Sequence, residues 1–490
     1  TYNYDNNHGF LDATSIHAGT LHLDGGSINH TGLGDIQVSL GPGDTGNLVI
    51  DNGGHATDYF GVLAQGSGST ATAIVSGAGS FWDHSSGMDI GHSGVGTLNI
   101  LNDGDVTITG PWAFLGWTSS GNGTVNLDGM GSTWSIGGEV LVGGSGTGTI
   151  TVGNHAALHV NAGASNLILG SSTMSSTGTL NIGAALGDTA AAGGLINAAA
   201  ITTGSGTGTL QFKTIASSAS PYYLTRDGTT GGPAVAVSGA VQVINTAGYN
   251  VLTGANAYTG GTAITGGTLV AGNDLALGLG AVVLNGGTLS VASGITFSNT
   301  LTIGASGGRL SGNGSFSSPL TLGAGVTLAP GTSPGTLHFL SGLALNDGGA
   351  LEIELQAPGG TPGSNWDLVN ITGTLNLGNL TAGGYSLRAI SLALDGNPGA
   401  VDGLTGPASW VIATASGGIT GFEAGDFLID FSQFTGGGDF SLTLSGNDLL
   451  LNFAPVPEPT TYALLATGLV LAGLHRRRKA RGGVRADLNP

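Results

Sequence analysis

The chain has no Cys, and only 8% of its 490 residues are charged, where soluble domains use about 25%. Without Cys there is no disulfide framework, no thiolate nucleophile and no Cys-ligated metal. Cations are scarcest: ten Lys and Arg stand against 29 Asp and Glu. Six of the ten fall in the last fifteen residues (Arg476, Arg477, Arg478, Lys479, Arg481, Arg485), leaving Lys213, Arg226, Arg309 and Arg388 for the body. Removing Glu458 and Asp487 from the 29 acids leaves 27 through Val456, so four cations against 27 acids give −23. A body so acidic repels nucleic acid, whose binding depends on cations meeting phosphates, and it disfavours polyanionic glycans. Pro is also scarce, at 15, and Gly does not recur at every third position, which excludes collagen. No basic-then-apolar leader follows Thr1, so a secretory signal is read as removed or as lying before this start.

What is abundant is Gly, 95 residues, together with 40% hydrophobic residues. Low charge with ample apolar surface argues against disorder. The composition implies strands with frequent turns. The phrase Gly-Thr-aliphatic-x-aliphatic recurs as Gly96-Thr97-Leu98-Asn99-Ile100, Gly123-Thr124-Val125-Asn126-Leu127 and Gly148-Thr149-Ile150-Thr151-Val152. It returns as Gly178-Thr179-Leu180-Asn181-Ile182 and Gly208-Thr209-Leu210-Gln211-Phe212, with Thr-to-Thr steps of 27, 25, 30 and 30 residues. The alternation predicts strands with Leu98 and Ile100 inward and Asn99 outward. Asn52-Gly53-Gly54 and Asn102-Asp103-Gly104 supply the positive φ of tight corners. One such unit cannot bury its own apolar face, so coils must stack. The expected fold is all-β: a right-handed parallel β-helix of about 18 coils, ~25 residues each and on the order of 85 Å long. A Gly-x-Gly-Ser-x-Trp phrase carries Trp82 and, 52 residues on, Trp134. Both are expected in the core, because aromatic rings bury large areas.

These repeats resemble those of autotransporter passengers and of proteins with PEP-CTERM tails. Leu252-Thr253-Gly254-Ala255-Asn256-Ala257-Tyr258-Thr259-Gly260-Gly261-Thr262, followed by Gly266-Gly267-Thr268-Leu269 and Gly286-Gly287-Thr288-Leu289, is similar to the autotransporter-associated β-strand repeat. Leu328-Ala329-Pro330-Gly331-Thr332-Ser333-Pro334-Gly335-Thr336-Leu337 is similar to the phrase that closes such tracts. The division expected is a solenoid over 1–245 with a 52-residue double coil, autotransporter-like repeats over 246–334, a C-terminal β cap over 335–453, and a tail over 454–490.

The tail reads Val456-Pro457-Glu458-Pro459-Thr460, an apolar stretch, then His475-Arg476-Arg477-Arg478-Lys479. The apolar helix is expected over 460–474, with Tyr462, Leu464, Leu465, Leu469, Val470, Leu471 and Leu474 as the membrane anchor. It is shorter than the ~20 residues usual for a span, so a marginal span or transient anchor is expected. Arg476, Arg477, Arg478 and Lys479, within a basic tail over 475–485, act as the cytoplasmic stop, which puts the acidic body outside. Pro457, Glu458 and Pro459 with the apolar run and Arg cluster resemble the PEP-CTERM sorting signal of Gram-negative bacteria. The resemblance implies recognition and cleavage by a membrane exosortase and transfer to the cell surface, in company with exopolysaccharide production. No outer-membrane barrel is read after the basic tail, which favours exosortase sorting over self-transport.

β-Helices also host polysaccharide lyases and glycosidases, which need two flanking carboxylates. Asp103 with Asp105, and Glu352 with Glu354, are the close pairs, but Asp-Gly is turn chemistry and alternate Glu marks a solvated strand face. Gly304-Ala305-Ser306-Gly307-Gly308 and Gly331-Thr332-Ser333-Pro334-Gly335 match Gly-x-Ser-x-Gly without the helix a nucleophile elbow requires. Gly41-Pro42-Gly43-Asp44-Thr45-Gly46 likewise matches Gly-x-Gly-x-x-Gly without a following helix. His155 and His159 would stand ~13 Å apart along a strand, too far to share a metal. The calcium-binding Gly-Gly-x-Gly-x-Asp repeat is missing, although Asp and Asn at corners leave calcium open. No enzyme site, cofactor or metal is therefore expected. The function expected is that of an exported structural or adhesive surface protein, with extracellular polysaccharide as a partner and a role in matrix or biofilm. The alternatives are a β-helix glycan-degrading enzyme and a mere spacer.

Overall fold

The computed structural model describes residues 13–30, 32–456, 470–472 and 474–476. Strands Val95–Leu101, Asn122–Asp128, Thr147–Val152, Thr177–Gly183 and Thr207–Lys213 lie parallel, with Gly96, Gly123, Gly148, Gly178 and Gly208 in one column. Leu98, Val125, Ile150, Leu180 and Leu210 are fully buried beneath one another. The outward row is polar and stitched: Asn126 donates to Asn99 at 2.9 Å, and Asn181 donates to Thr151 at 3.2 Å. Twelve strands, from Ala18–Asp24 to Leu301–Ile303, build this face. Four more, from Leu320–Leu322 to Ile419–Thr420, take the same place in the coil order.

Each coil has two further sides. Phe81–Ile90 is long enough to pair with both sides of the next coil, its first half with Asp105–Ile108 and its second with Trp112–Leu115. Trp82, Val106 and Trp134 share one column, and both indoles are fully buried. The Trp echo in the sequence is thus two coils, each offering a Trp to a core that runs unbroken through the described body. Tight corners are made by Gly91, Gly116, Gly143 and Gly170, with φ of +67°, +62°, +74° and +62°. Each of the last three donates its N–H to the coil beneath: Gly116 to Ile90, Gly143 to Leu115, Gly170 to Val142.

The coil length varies, as the steps of 27, 25, 30 and 30 residues between the Gly-Thr phrases imply, and it departs furthest from ~25 residues beyond Val243. In the first half the outward partners Asn99 and Asn126 are 27 residues apart, and Thr151 and Asn181 are 30 residues apart. From Val243 the register partners Thr262, Val282 and Leu301 follow in quicker succession. Here one side shrinks to two-residue strands, Ala257–Tyr258 and Thr296–Phe297. Buried polar groups replace the lost ladder. Asn256 accepts from the Val237 N–H, 19 residues before it, at 2.9 Å. It also donates to the Ala276 carbonyl, 20 residues after it, at 2.7 Å, and so ties three coils together. The buried Tyr258 hydroxyl meets Thr262 at 2.6 Å. Further on the coils widen. Arg388 meets Glu352 across 36 residues of chain, and the Ser391 hydroxyl reaches the Gln433 carbonyl across 42 residues. Among the described residues, sixteen levels on the first face give a rod of roughly 75 Å, against the 18 levels and 85 Å expected of the body. Over 335–453 the parallel stack continues to Phe427–Gln433. It is closed by an antiparallel hairpin, Gly438–Ser445 and Asp448–Pro455, whose second strand runs antiparallel to Ala408–Ala415.

Candidate functional site

Glu352 and Glu354 share the outward face of Ala350–Leu355. Glu352 accepts from Arg388 Nη1 at 2.9 Å and is also bridged by Arg309. Two of the body's four cations are therefore committed to one carboxylate. Arg388 in turn lies in register with Asp430, so charge alternates up this face. Burial pushes the Glu354 carboxyl up, opposed by the charge of Arg309. Asp367, buried beside it, accepts the backbone N–H groups of Gly335 and Glu354, each at 2.8 Å, and burial raises its pKa well above the usual range. Asp103 sits at a corner with φ +72°, whereas Asp105 lies on the following strand, bonded by the Thr133 hydroxyl. His155 occupies an exposed corner, while His159 stands on Ala157–Val160 against Asn197 at 3.2 Å. Gly304–Gly307 is a turn between the strands Leu301–Ile303 and Gly308–Gly312, not a strand-to-helix elbow.

The sequence reading missed the pairing of His with carboxylates in the first coils. His17 meets Asp44 at 2.7 Å, His22 meets Asp51 at 2.9 Å, and His92 meets Asp89 at 2.7 Å. The deepest is His84 Nδ1 to Asp58 Oδ1 at 2.6 Å, both side chains fully buried, with the Trp82 indole donating to Asp58 Oδ2 at 3.0 Å. The signal was the coil period itself: the His17, His22 and His84 pairs are separated by 27, 29 and 26 residues. In a body with so few Lys and Arg, histidine is the side chain left to meet the acids.

Near this cluster, burial and then the charge of Asp58 push Asp35 from 3.8 to about 6. An acid whose pKa rises on folding holds its proton more tightly in the native state. The stability it contributes is present below 3.8 and is lost as pH rises through about 6. Denaturant titrations at pH 4 and pH 7 should therefore show wild type losing more stability than Asp35→Asn over this window. The difference should reach up to about 3 kcal/mol; parallel curves for the two proteins would refute the assignment.

The final strand ends at Pro455, and Val456 beyond it is exposed. Pro457, Glu458, Pro459, Tyr462, Leu464, Leu465, Leu469, Arg477, Arg478 and Lys479 lie outside the described residues. Val470, Leu471, Leu474 and Arg476 belong to a short helical stretch, and their side chains are exposed. Among the described residues no helix is long and apolar enough to cross a membrane. Residues 455–479 match the PEP-CTERM protein-sorting motif. The PEP-CTERM motif begins where the closing hairpin ends, so the sorting signal follows directly on the folded stack. It supports export and processing by an exosortase, a membrane protein, on the way to the cell surface. No curated protein matches the chain.

Proposed function

We propose that the chain is a non-enzymatic structural or adhesive rod, held briefly in the inner membrane of a Gram-negative cell by residues 460–474. An exosortase would then cut near Pro457–Pro459 and pass the body to the surface. The observation that carries this reading is the PEP-CTERM motif joined directly to a closed, parallel β stack. The tract over 246–334 is proposed to be built of autotransporter-associated repeats. Its shortened coils and the stitching roles of Asn256, Tyr258 and Thr262 give that phrase a physical purpose. Work of this kind is spread over a long exterior, where Asn, Thr and Ser ladders offer hydrogen bonds to glycan hydroxyls and so to matrix or biofilm polysaccharide.

Peptide mapping of membrane, surface and medium fractions from the native host tests the proposal. Surface copies should end near Pro457–Thr460, while membrane copies keep Arg476–Lys479. If every copy keeps its basic tail, exosortase processing is wrong and the rod is a tethered stalk.

A further inference from the structure

Four of the six Trp side chains are buried: Trp82, Trp134, Trp366 and Trp410. The other two, Trp112 and Trp117, are 45% and 38% exposed, and they stand on one strand and the corner that follows it. Between them lies Phe114, stacked with Trp112 at 6.0 Å between centroids and 13° between planes, and touching Trp117 at 4.4 Å. Exposed indoles in contact with a third ring are unusual on a stack whose outward positions are mostly Thr, Asn and Ser. The neighbouring coils leave them room. Gly87 lies beneath Trp112 in register, with the Phe60 ring leaning over it, and Gly144 abuts the Trp117 backbone on the coil above.

The rim of this patch is polar except for Leu141, which lies above Phe114 in register. Beneath Phe114 in register is Asp89, whose Oδ2 is held by His92 Nδ1. Beside Trp112 is Glu139, and the Thr118 and Ser120 hydroxyls close the corner against the carbonyls of His92 and Ser93. None of the four body cations, Lys213, Arg226, Arg309 and Arg388, lies in these coils. An anionic ligand would meet the −23 body without a counter-charge, and of the two carboxylates here Asp89 is engaged by His92, which leaves Glu139 to accept from a ligand. A sugar chain offers what remains: C–H faces for aromatic rings and neutral hydroxyls for carboxylates, imidazole and hydroxyls.

We infer that Trp112, Phe114 and Trp117 form a binding platform for an extended neutral polysaccharide, with His92 and Glu139 reading its hydroxyls. The platform rests on the adhesive reading above and gives it a place. Native-gel affinity electrophoresis tests it, with hydroxyethylcellulose or galactomannan as neutral polymer, polygalacturonate as anionic control and polylysine as cationic control. Wild type should be retarded by a neutral polymer and not by polygalacturonate, while the retardation that polylysine imposes on so acidic a body should be equal in wild type and variants. Trp112→Ala and Trp117→Ala should each weaken retardation about ten-fold, with unchanged far-UV circular dichroism melting. Three results overturn the inference: no retardation by either neutral polymer, retardation by polylysine alone, or neutral-polymer binding that both variants retain in full. The last would leave the adhesive reading standing with its site elsewhere. Loss of surface display, read by fractionating the same variants, would instead count against that reading.

Discussion

Gly116→Val should cost roughly 3–5 kcal/mol of stability, the sum of backbone strain and a steric clash. Gly116 holds φ at +62°, a conformation β-branched residues avoid, and an added Cβ would lie 2.1 Å from the Thr147 carbonyl oxygen. That carbonyl belongs to the next coil, so the clash cannot be relieved by moving a side chain. Gly53→Ala is the matched control. Gly53 also has positive φ, at +77°, but nothing lies within 4 Å of its added Cβ. Only the conformational cost remains there, about 1 kcal/mol. Urea titrations of the two variants followed by far-UV circular dichroism separate the cases. Equal losses would show that conformation alone, and not the closeness of successive coils, constrains the glycine column.

Asp58→Ala is expected to be nearly as damaging, at about 3–5 kcal/mol. It strips the acceptor from the Trp82 indole N–H and from His84, two side chains with no access to water. Asp51→Ala breaks a similar-looking pair with His22, but there the imidazole is 47% exposed and water replaces the lost partner. Its cost should stay below about 1 kcal/mol. Tryptophan fluorescence should report the difference directly, since the Asp58 variant disturbs Trp82 before the body unfolds. Matching losses for the two variants would mean that the Asp58 cluster is solvated after all.

Much of this rod is legible in the order of its amino acids. The Gly-Thr-aliphatic phrase states both the strand and the level at which it repeats, and Gly96 to Gly208 do stand in one column. The Trp82 and Trp134 echo names two core positions, because a bulky residue recurring at a fixed coil multiple must meet the same environment. The contraction near Val243 is hinted at by the close spacing of Gly266-Gly267 and Gly286-Gly287, but a single average period conceals it. The Arg309–Glu352–Arg388 set is illegible, since its members are 43 and 36 residues apart on coils of unequal length. Trp112 and Trp117 are illegible for another reason. Inward and outward positions alternate along a short strand, and nothing in that alternation marks an outward ring as more than a filler. The tail announces itself by composition, a kind of signal independent of how the stack is folded.

The shortened coils bear on what happens when the rod is pulled. Hydrogen bonds between coils run along the long axis, so tension applied between its two ends stretches them directly. Upstream, each junction shares that tension among a seven-residue strand such as Asn122–Asp128 and two four-residue strands, Thr133–Ile136 and Glu139–Val142. Between Thr262 and Leu284 the sharing falls to Thr262–Ile264 on Val282–Leu284 and Thr268–Ala271 on Thr288–Val291, with the single bonds of Leu279 N–H to the Tyr258 carbonyl and Asn256 to Leu275 and Ala276 in place of a third strand pair. With fewer bonds dividing the same force, the middle of the rod is its most compliant section along the axis, a spring set between two stiffer ends.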